Sequence, residues 1–282
     1  MFGPFQSCQN ILRLLEMIFS TLSLIIVIFR GRMVSPWGVW CEFVWFFCII
    51  VPLVLLVVEA KKWNILLVAF LPNWDDLTCG LTILCVVMIT SATVTFVAVF
   101  VCSHCIASIL CFISSLIATV VFLVDAVKQK MKCPSGYMSS LRGILRTAQA
   151  FVACIIITAA LDHFVIGIGN QKPRPIGMIL STIVFFVCLL VTVFIIVLNL
   201  LKLLQCLLSF GLSRMEFVFD ILAVVLYLLA VILWGVFGYK RYQYNPYSCD
   251  KCSYEDLNTV TIGAIINLVL YTVDLVLAFK SC

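Results

Sequence analysis

Residues 176–199 read IGMILSTIVFFVCLLVTVFIIVLN, without one charged side chain. A helix rises 1.5 Å per residue, so about 20 such residues cross the roughly 30 Å hydrocarbon core of a bilayer. The stretch is therefore predicted to be a transmembrane helix. Working outward from it, the same test finds seven more segments, near 11–29, 39–58, 80–101, 105–125, 144–166, 217–238 and 257–279. The whole 282-residue chain is 64% hydrophobic and only 11% charged, against roughly 25% charged in an ordinary soluble domain. A soluble chain of this size has too much surface relative to volume to hide that much apolar area. The expected fold class is all-α, a polytopic membrane protein with eight transmembrane helices. Collagen-like, disordered and nucleic-acid-binding classes are excluded. The net charge of +5 is read as a record of which loops face the cytoplasm.

The chain repeats itself at about half length. Ile11-Leu12-Arg13 with Glu16 returns as Ile144-Leu145-Arg146 with Gln149. The second span, closing on Glu59, aligns with the sixth, closing on Asn199. The fourth ends VVFLVDAV at 120–127, and the eighth ends VLYTVDLV at 269–276. These offsets are 133, 140 and 149, while the third and seventh spans offer no register from residue identity. Two parallel four-helix units are expected, over 1–132 and 138–282, with Ser103-His104 turning the third span into the fourth. An even number of spans puts both termini on one side, which carries 11 of the 18 Lys and Arg side chains. That side is expected to be cytoplasmic. No signal peptide is read at the N-terminus, because residues 1–10 lack Lys and Arg and the first apolar run contains Arg13 and Glu16.

Two such units resemble tandem MARVEL domains, and most of all the myeloid-associated differentiation marker family. The residues carrying the resemblance are Trp40-Cys41 opening the second span, Glu59 closing it, and residues 151–156 (FVACII). The eighth span adds Ile266-Asn267-Leu268, Tyr271 and Asp274-Leu275-Val276. The resemblance covers nearly the whole chain and is more specific in the second half. It implies MARVEL-like bundles in a multi-pass protein of plasma and vesicle membranes. It also implies association with sterol-rich membrane domains, trafficking, and organisation of membrane and cortex. The expected partners are membrane lipids, sterol-rich or anionic, and other membrane or cortical proteins, with self-association as a homo-oligomer included. No nucleic acid and no cofactor is expected.

The polar residues at span ends carry most of the remaining information. Arg13, Glu16, Glu59 and Asp125 all fall at the cytoplasmic ends of their helices, as do Arg146, Gln149, Asn199 and Asp274. Ionisable groups at membrane depth are costly and usually face the bundle interior with a partner. Pairs of Arg13 with Asp125 and of Arg146 with Asp274 are therefore expected. The competing reading is that each charge snorkels separately to the interface. Small residues at four-residue spacing, Cys111, Ser115 and Thr119 on one span and Ala150, Cys154 and Thr158 on the next, mark candidate helix contacts. Trp37, Trp40, Trp63 and Trp74 lie beside predicted span ends, where indole rings favour the interface.

Cys249-Asp250-Lys251-Cys252 lacks the second ligand pair a zinc site needs and the βαβ context of a redox motif. An outer-face disulfide is the preferred reading, with Cys249 joined to Cys252 or to another outer cysteine such as Cys41. Cys8, Cys133, Cys206 and Cys282 lie near the cytoplasmic face as candidate acylation sites. Lys128, Lys130, Lys132 and Arg142 are read either as a basic linker drawn to anionic lipid or, equally, as an ordinary positive-inside loop. The two histidines, His104 and His163, sit in no catalytic motif, and Asp162-His163 is read as an interfacial pair. A non-enzymatic membrane organiser is expected, with a small-solute or ion transporter or channel as the alternative. Pro52 is the one obvious helix breaker, and Glu42 and Asp220 are the acids on which transport would be tested.

Overall fold

The computed structural model describes residues 8–31, 33, 35–63, 74–101, 105–132, 137, 140–166, 175–200, 202–244 and 253–281. Among these residues the secondary structure is helical, in eight long elements. They are α1 (Cys8–Arg30), α2 (Pro36–Ala60), α3 (Trp74–Phe100), α4 (Ile106–Lys132), α5 (Leu141–Ile166), α6 (Ile176–Leu200), α7 (Lys202–Tyr244) and α8 (Ser253–Ser281). All eight contain a segment long and apolar enough to cross a membrane.

Local chemistry sets several helix starts. Ser35 caps α2, its hydroxyl accepting from the Gly38 N–H at 3.2 Å, and Pro36 follows at the first helical position, where its missing N–H costs nothing. Asp75 and Asp76 occupy the first turn of α3, and Glu255 and Asp256 that of α8. There, carboxylates oppose the positive end of the helix dipole. Pro52 lies inside α2, buried, and the helix runs through it. Elsewhere the helices outrun the apolar segments from which they were predicted. α4 carries on through Lys128, Lys130 and Lys132, so the expected basic linker is largely the last turns of a helix. α7 begins at Lys202, well before the expected 217.

The chain divides into two compact units, residues 1–140 and 141–282. In the first, α1 packs on α2 and α4, and α3 packs on α2 and α4; in the second, α5 packs on α6 and α8, and α7 on α6 and α8. Each unit is thus an up-down four-helix bundle closed into a ring.

Burial gives the internal repeat a physical form. On α1 the buried positions 13, 16, 20, 23 and 27 reappear on α5 at 146, 149, 153, 156 and 160, an offset of 133. Along α2 the set 38, 41, 45, 48, 52, 55 and 58 maps onto α6 at an offset of 140. For α4, buried residues 108, 111, 115, 118, 122, 125 and 129 map onto α8 at 149. The third helices, for which residue identity offers no register, align in the same way. Thr78, Thr82, Cys85, Ile89, Ala92 and Phe96 occupy the places of Glu216, Asp220, Ala223, Tyr227, Ala230 and Trp234, an offset of 138. Spacings of three and four residues keep one stripe of each helix inward. The residues between them, such as Phe186, Leu190, Val193 and Phe194 on α6, face outward as large apolar side chains.

Neutral groups hold the interior at mid-helix. In the first unit Trp45 Nε1 donates to Ser115 Oγ at 3.1 Å, and Ser115 is 2.7 Å from the Thr93 hydroxyl, which also meets Thr119 at 3.2 Å. The Trp45 ring meets Phe96 edge-on. In the second unit Asn267 donates to the Tyr227 hydroxyl at 2.7 Å, Thr192 and Tyr271 hydroxyls lie 2.6 Å apart, and Ser181 donates to the Ala230 carbonyl at 3.1 Å. Of the tryptophans expected at the interface, Trp63 is exposed, but Trp40 is buried in the bundle. It lies one turn inside α2, so its ring turns onto the neighbouring helices.

Close helix approach generates a prediction. A Cβ added at Gly177 on α6 runs into the Phe237 ring on α7, whereas one added at Gly235 meets nothing within 4 Å. Overpacking of a tight contact costs about 1–3 kcal/mol. Gly177→Val is expected to destabilise the protein by that amount. Gly235→Ala is expected to be neutral or stabilising by up to about 1 kcal/mol through helix propensity. Thermal unfolding in detergent checks both.

Candidate functional site: the buried ionic clusters

Each bundle buries an arginine about one turn inside its first helix, on the stripe that faces the other helices. Arg13 and Arg146 are each only 1% exposed. A guanidinium cannot lose its protein-independent solvation at that depth without acceptors around it. Neighbouring helices supply them.

In the second unit two arginines stand one turn apart on α5 and face three carboxylates. Arg146 Nη2 lies 3.3 Å from Asp220 Oδ2 and 3.7 Å from Glu216 Oε2, both on α7, while its Nε lies 3.2 Å from Asp274 Oδ2 on α8. Arg142, less buried, approaches the same three groups: Glu216 at 3.6 Å, Asp220 at 3.7 Å and Asp274 at 3.3 Å. From α6, Asn199 Nδ2 donates to Glu216 Oε1 at 2.6 Å, and Gln149 Nε2 donates to the Leu270 carbonyl at 3.4 Å. All four helices of the unit are thereby tied at one end. Asp220 and Asp274 are fully buried, so their charge is met by these partners.

The first unit solves the same problem with different residues. Arg13 Nη1 lies 2.6 Å from Glu59 Oε2 on α2. The expected partner Asp125 instead accepts from Gln129 Nε2, one turn along α4, at 2.5 Å. It remains within electrostatic range of Arg13, Glu59 and Lys128. Glu16 is buried beside Arg13 and within electrostatic range of Asp125. Thus Arg146 and Asp274 are brought together, whereas Arg13 takes the acid of α2 in place of that of α4. In the first unit α2 supplies an acid, Glu59, where α6 of the second has Asn199, and Asp125 is already held by Gln129.

Sequence reasoning missed Arg142, Glu216 and Asp220 as members of this site. From sequence Arg142 reads as a basic residue near the membrane surface, and Asp220 only as an acid for testing transport. A usable signal was present: Glu216 and Asp220, four residues apart on one stripe of a span, and Arg142 and Arg146 at the same spacing on another. At the opposite end of this unit, Asp162 lies beside Asp256 of α8, and His163 packs edge-on against Trp234.

The candidate disulfide Cys249–Cys252 lies outside the described residues, as do Cys133 and Cys282. Cys8 and Cys206 are placed on α1 and α7. Cys41 is a buried thiol that donates to the Ala92 carbonyl at 3.6 Å. Among the described residues no group of three or more His, Cys, Asp or Glu side chains is arranged to hold a metal ion.

Two closed four-helix bundles of membrane-spanning length, each pinned at one end by ion pairs to a buried arginine, define a polytopic α-helical membrane protein. The membrane-associating domain family, MARVEL, matches residues 137–277, and the chain belongs to that family. Its similarity to curated relatives runs through both halves. It is 26% identical to myeloid-associated differentiation marker-like protein 2 of Xenopus laevis, covering 94% of this chain and 89% of the relative. With the human protein of the same description the identity is 28%, over 97% and 91%. With the myeloid-associated differentiation marker of Mus musculus it is 28%, over 95% and 88%. No solved structure matches the chain.

Removing one partner of a buried ion pair leaves uncompensated charge and costs about 3–5 kcal/mol. Arg146→Gln is expected to lose that much. Arg142→Gln, at a position 28% exposed, is expected to lose clearly less. Adding Asp274→Asn to Arg146→Gln is expected to recover part of the loss, because the two side chains share one network. Chemical denaturation in detergent of wild type, Arg146→Gln, Asp274→Asn and their double variant measures the coupling, and that of Arg142→Gln the partly exposed position.

Proposed function

We propose that the protein is a non-enzymatic organiser of membrane that acts through lateral association with lipids and with other membrane or cortical proteins. Plasma and vesicle membranes are its proposed location, with both termini in the cytoplasm. The observation that carries this reading is the distribution of polarity within each bundle. The close ion pairs sit at one end, the middle is filled by neutral hydrogen bonds and aromatic rings, and large apolar side chains face outward along every helix. A path for solute usually needs polar groups near the bilayer midplane. Bundles closed there by Trp45 and Phe96 in one unit and by Tyr227 and Tyr271 in the other are suited to presenting faces rather than to passing ions. The family adds support, since its domain is described as membrane-associating.

The partner chemistry follows from those faces. Outward Ile, Leu, Val and Phe side chains match acyl chains and sterol rings. The Lys128 and Lys130 side chains at the end of α4 suit anionic headgroups, each worth about 1 kcal/mol near a charged surface.

Reconstitution into phase-separating giant vesicles tests the proposal. The labelled full chain is expected to concentrate in the sterol-rich phase and to give no ion- or solute-dependent flux. Flux abolished by Glu42→Gln or Asp220→Asn would establish transport instead. Tags at the two ends are expected to become accessible to antibody only after permeabilisation of the cell. Opposite accessibility of the two tags would remove the proposed orientation.

A further inference from the structure

At one end of the first bundle the chain gathers lysines that the second bundle largely lacks. Lys61 and Lys62 follow the last turn of α2, and Lys128 and Lys130 stand in the last turns of α4; all four are exposed. α1 packs against both helices, and its first turn carries no acidic side chain. The ends of α2 and α4 stand close, because Asp125 is within electrostatic range of both Glu59 and Lys128. Glu59, the acid nearest to Lys61 and Lys62 in the chain, is engaged by Arg13 at 2.6 Å. The exposed Asp75 begins α3, across the ring from α1. At the offsets of 140 and 149, Lys61, Lys128 and Lys130 give way in the second unit to Leu201, Leu277 and Phe279, and only Lys62 keeps a counterpart, Lys202. The basic rim therefore belongs to one copy and is not a property of the repeat. Lys62 supplies an independent sign. It ends α2 with a φ of 55°, the one non-glycine residue of positive φ among those described. Its N–H donates to the Glu59 carbonyl at 3.1 Å, and that of Lys61 to the Val57 carbonyl at 3.0 Å. Helix ends of this kind usually carry glycine, which takes the left-handed conformation without strain. Here the strain is kept together with an exposed ammonium, a combination met at functional positions. Trp63, 52% exposed, follows directly, and an indole favours headgroup depth.

We propose that this rim binds polyphosphorylated inositol lipid, with Lys61, Lys62 and Lys130 meeting the phosphates and Lys128 adding charge beside Asp125. Clusters of basic residues just beyond a membrane-spanning helix attract the anionic lipids of the cytoplasmic leaflet. A phosphate monoester carries a charge of about −1.5 to −2 and three strong acceptor oxygens. A headgroup with two of them engages several ammonium groups at once, which the singly charged serine headgroup does not. Lysine suits such a ligand, because its point charge on a flexible stem reaches phosphate without demanding a fixed geometry. The inference rests on the proposed association with lipid and names the partner for this end of the first unit.

Titration of fluorescent short-chain phosphatidylinositol bisphosphate into the purified full chain in neutral detergent tests the proposal. Wild type is expected to bind it saturably, about tenfold or more tightly than short-chain phosphatidylserine, with affinity falling as salt rises. Lys61→Gln and Lys130→Gln are each expected to weaken binding about fivefold, the effect of one basic residue near a charged surface. Lys62→Gly separates binding from folding. Relief of backbone strain is expected to hold or raise its thermal midpoint, while its affinity for the lipid falls about fivefold. Arg214→Gln, at an exposed basic position on α7 of the second unit, is expected to bind as wild type does. Absence of saturable binding would overturn the proposal, as would wild-type affinity in Lys62→Gly or an equal loss in Arg214→Gln. Competition by soluble inositol trisphosphate at the same affinity would also overturn it, by making the ligand a free phosphate and not a lipid. Binding in detergent involves no phase sorting, so this test can fail while the chain still concentrates in the sterol-rich phase, and the reverse.

Discussion

A guanidinium held out of water inside a helical bundle needs carboxylates from other helices, and the arrangement of both units follows from that need. In hydrocarbon there is no hydrophobic drive between helices, since lipid tails are as apolar as leucine. Something else has to select which stripe of each helix faces inward. Arg13 and Arg146 do so at one end, because each is buried and each draws acids from partner helices. Once the rotation of a helix is fixed there, the spacing of three and four residues carries the same stripe inward to the far end. Small side chains and neutral hydrogen bonds then let the backbones approach. The bond from Trp45 to Ser115 and the Thr192–Tyr271 pair are consequences of that register.

The two units show that the position of the acids matters less than their number. The acid on α2 of the first unit, Glu59, has Asn199 as its counterpart, and Glu16 has Gln149. Charge lost at those two places returns on the third helix, where Thr78 and Thr82 correspond to Glu216 and Asp220. Asn199 keeps a structural part by donating to Glu216. A duplicated bundle can thus move its acids from helix to helix, provided that they still converge on the arginine. It cannot drop them, because an arginine without acceptors would have to leave the interior. The same economy of charge leaves the outer faces apolar, as contact with lipid requires.

Much of the fold was legible in the chain. The stretch 176–199 and its seven counterparts mark the spans by length and hydropathy alone. The recurrences of Arg13 at Arg146 and of Asp125 at Asp274 reveal the doubling. The third and seventh spans resisted alignment because their identities have diverged at the polar positions, Thr78 against Glu216 and Thr82 against Asp220. Burial recovers their register where identity does not. Arg142 illustrates the opposite difficulty. As a basic residue near a span end it reads as a surface charge, and only the proximity of Glu216, Asp220 and Asp274 gives it a partner set.

By itself, the sequence determined that this chain crosses a bilayer eight times as a twice-used helical quartet. Span length and inward periodicity are properties of each segment alone. Tertiary structure decided which acid each arginine meets: Glu59 for Arg13, and Asp220, Asp274 and Glu216 for Arg146. Pairing depends on distances between side chains on different helices, set by rotation and axial offset. Neither is encoded in the hydropathy of one span.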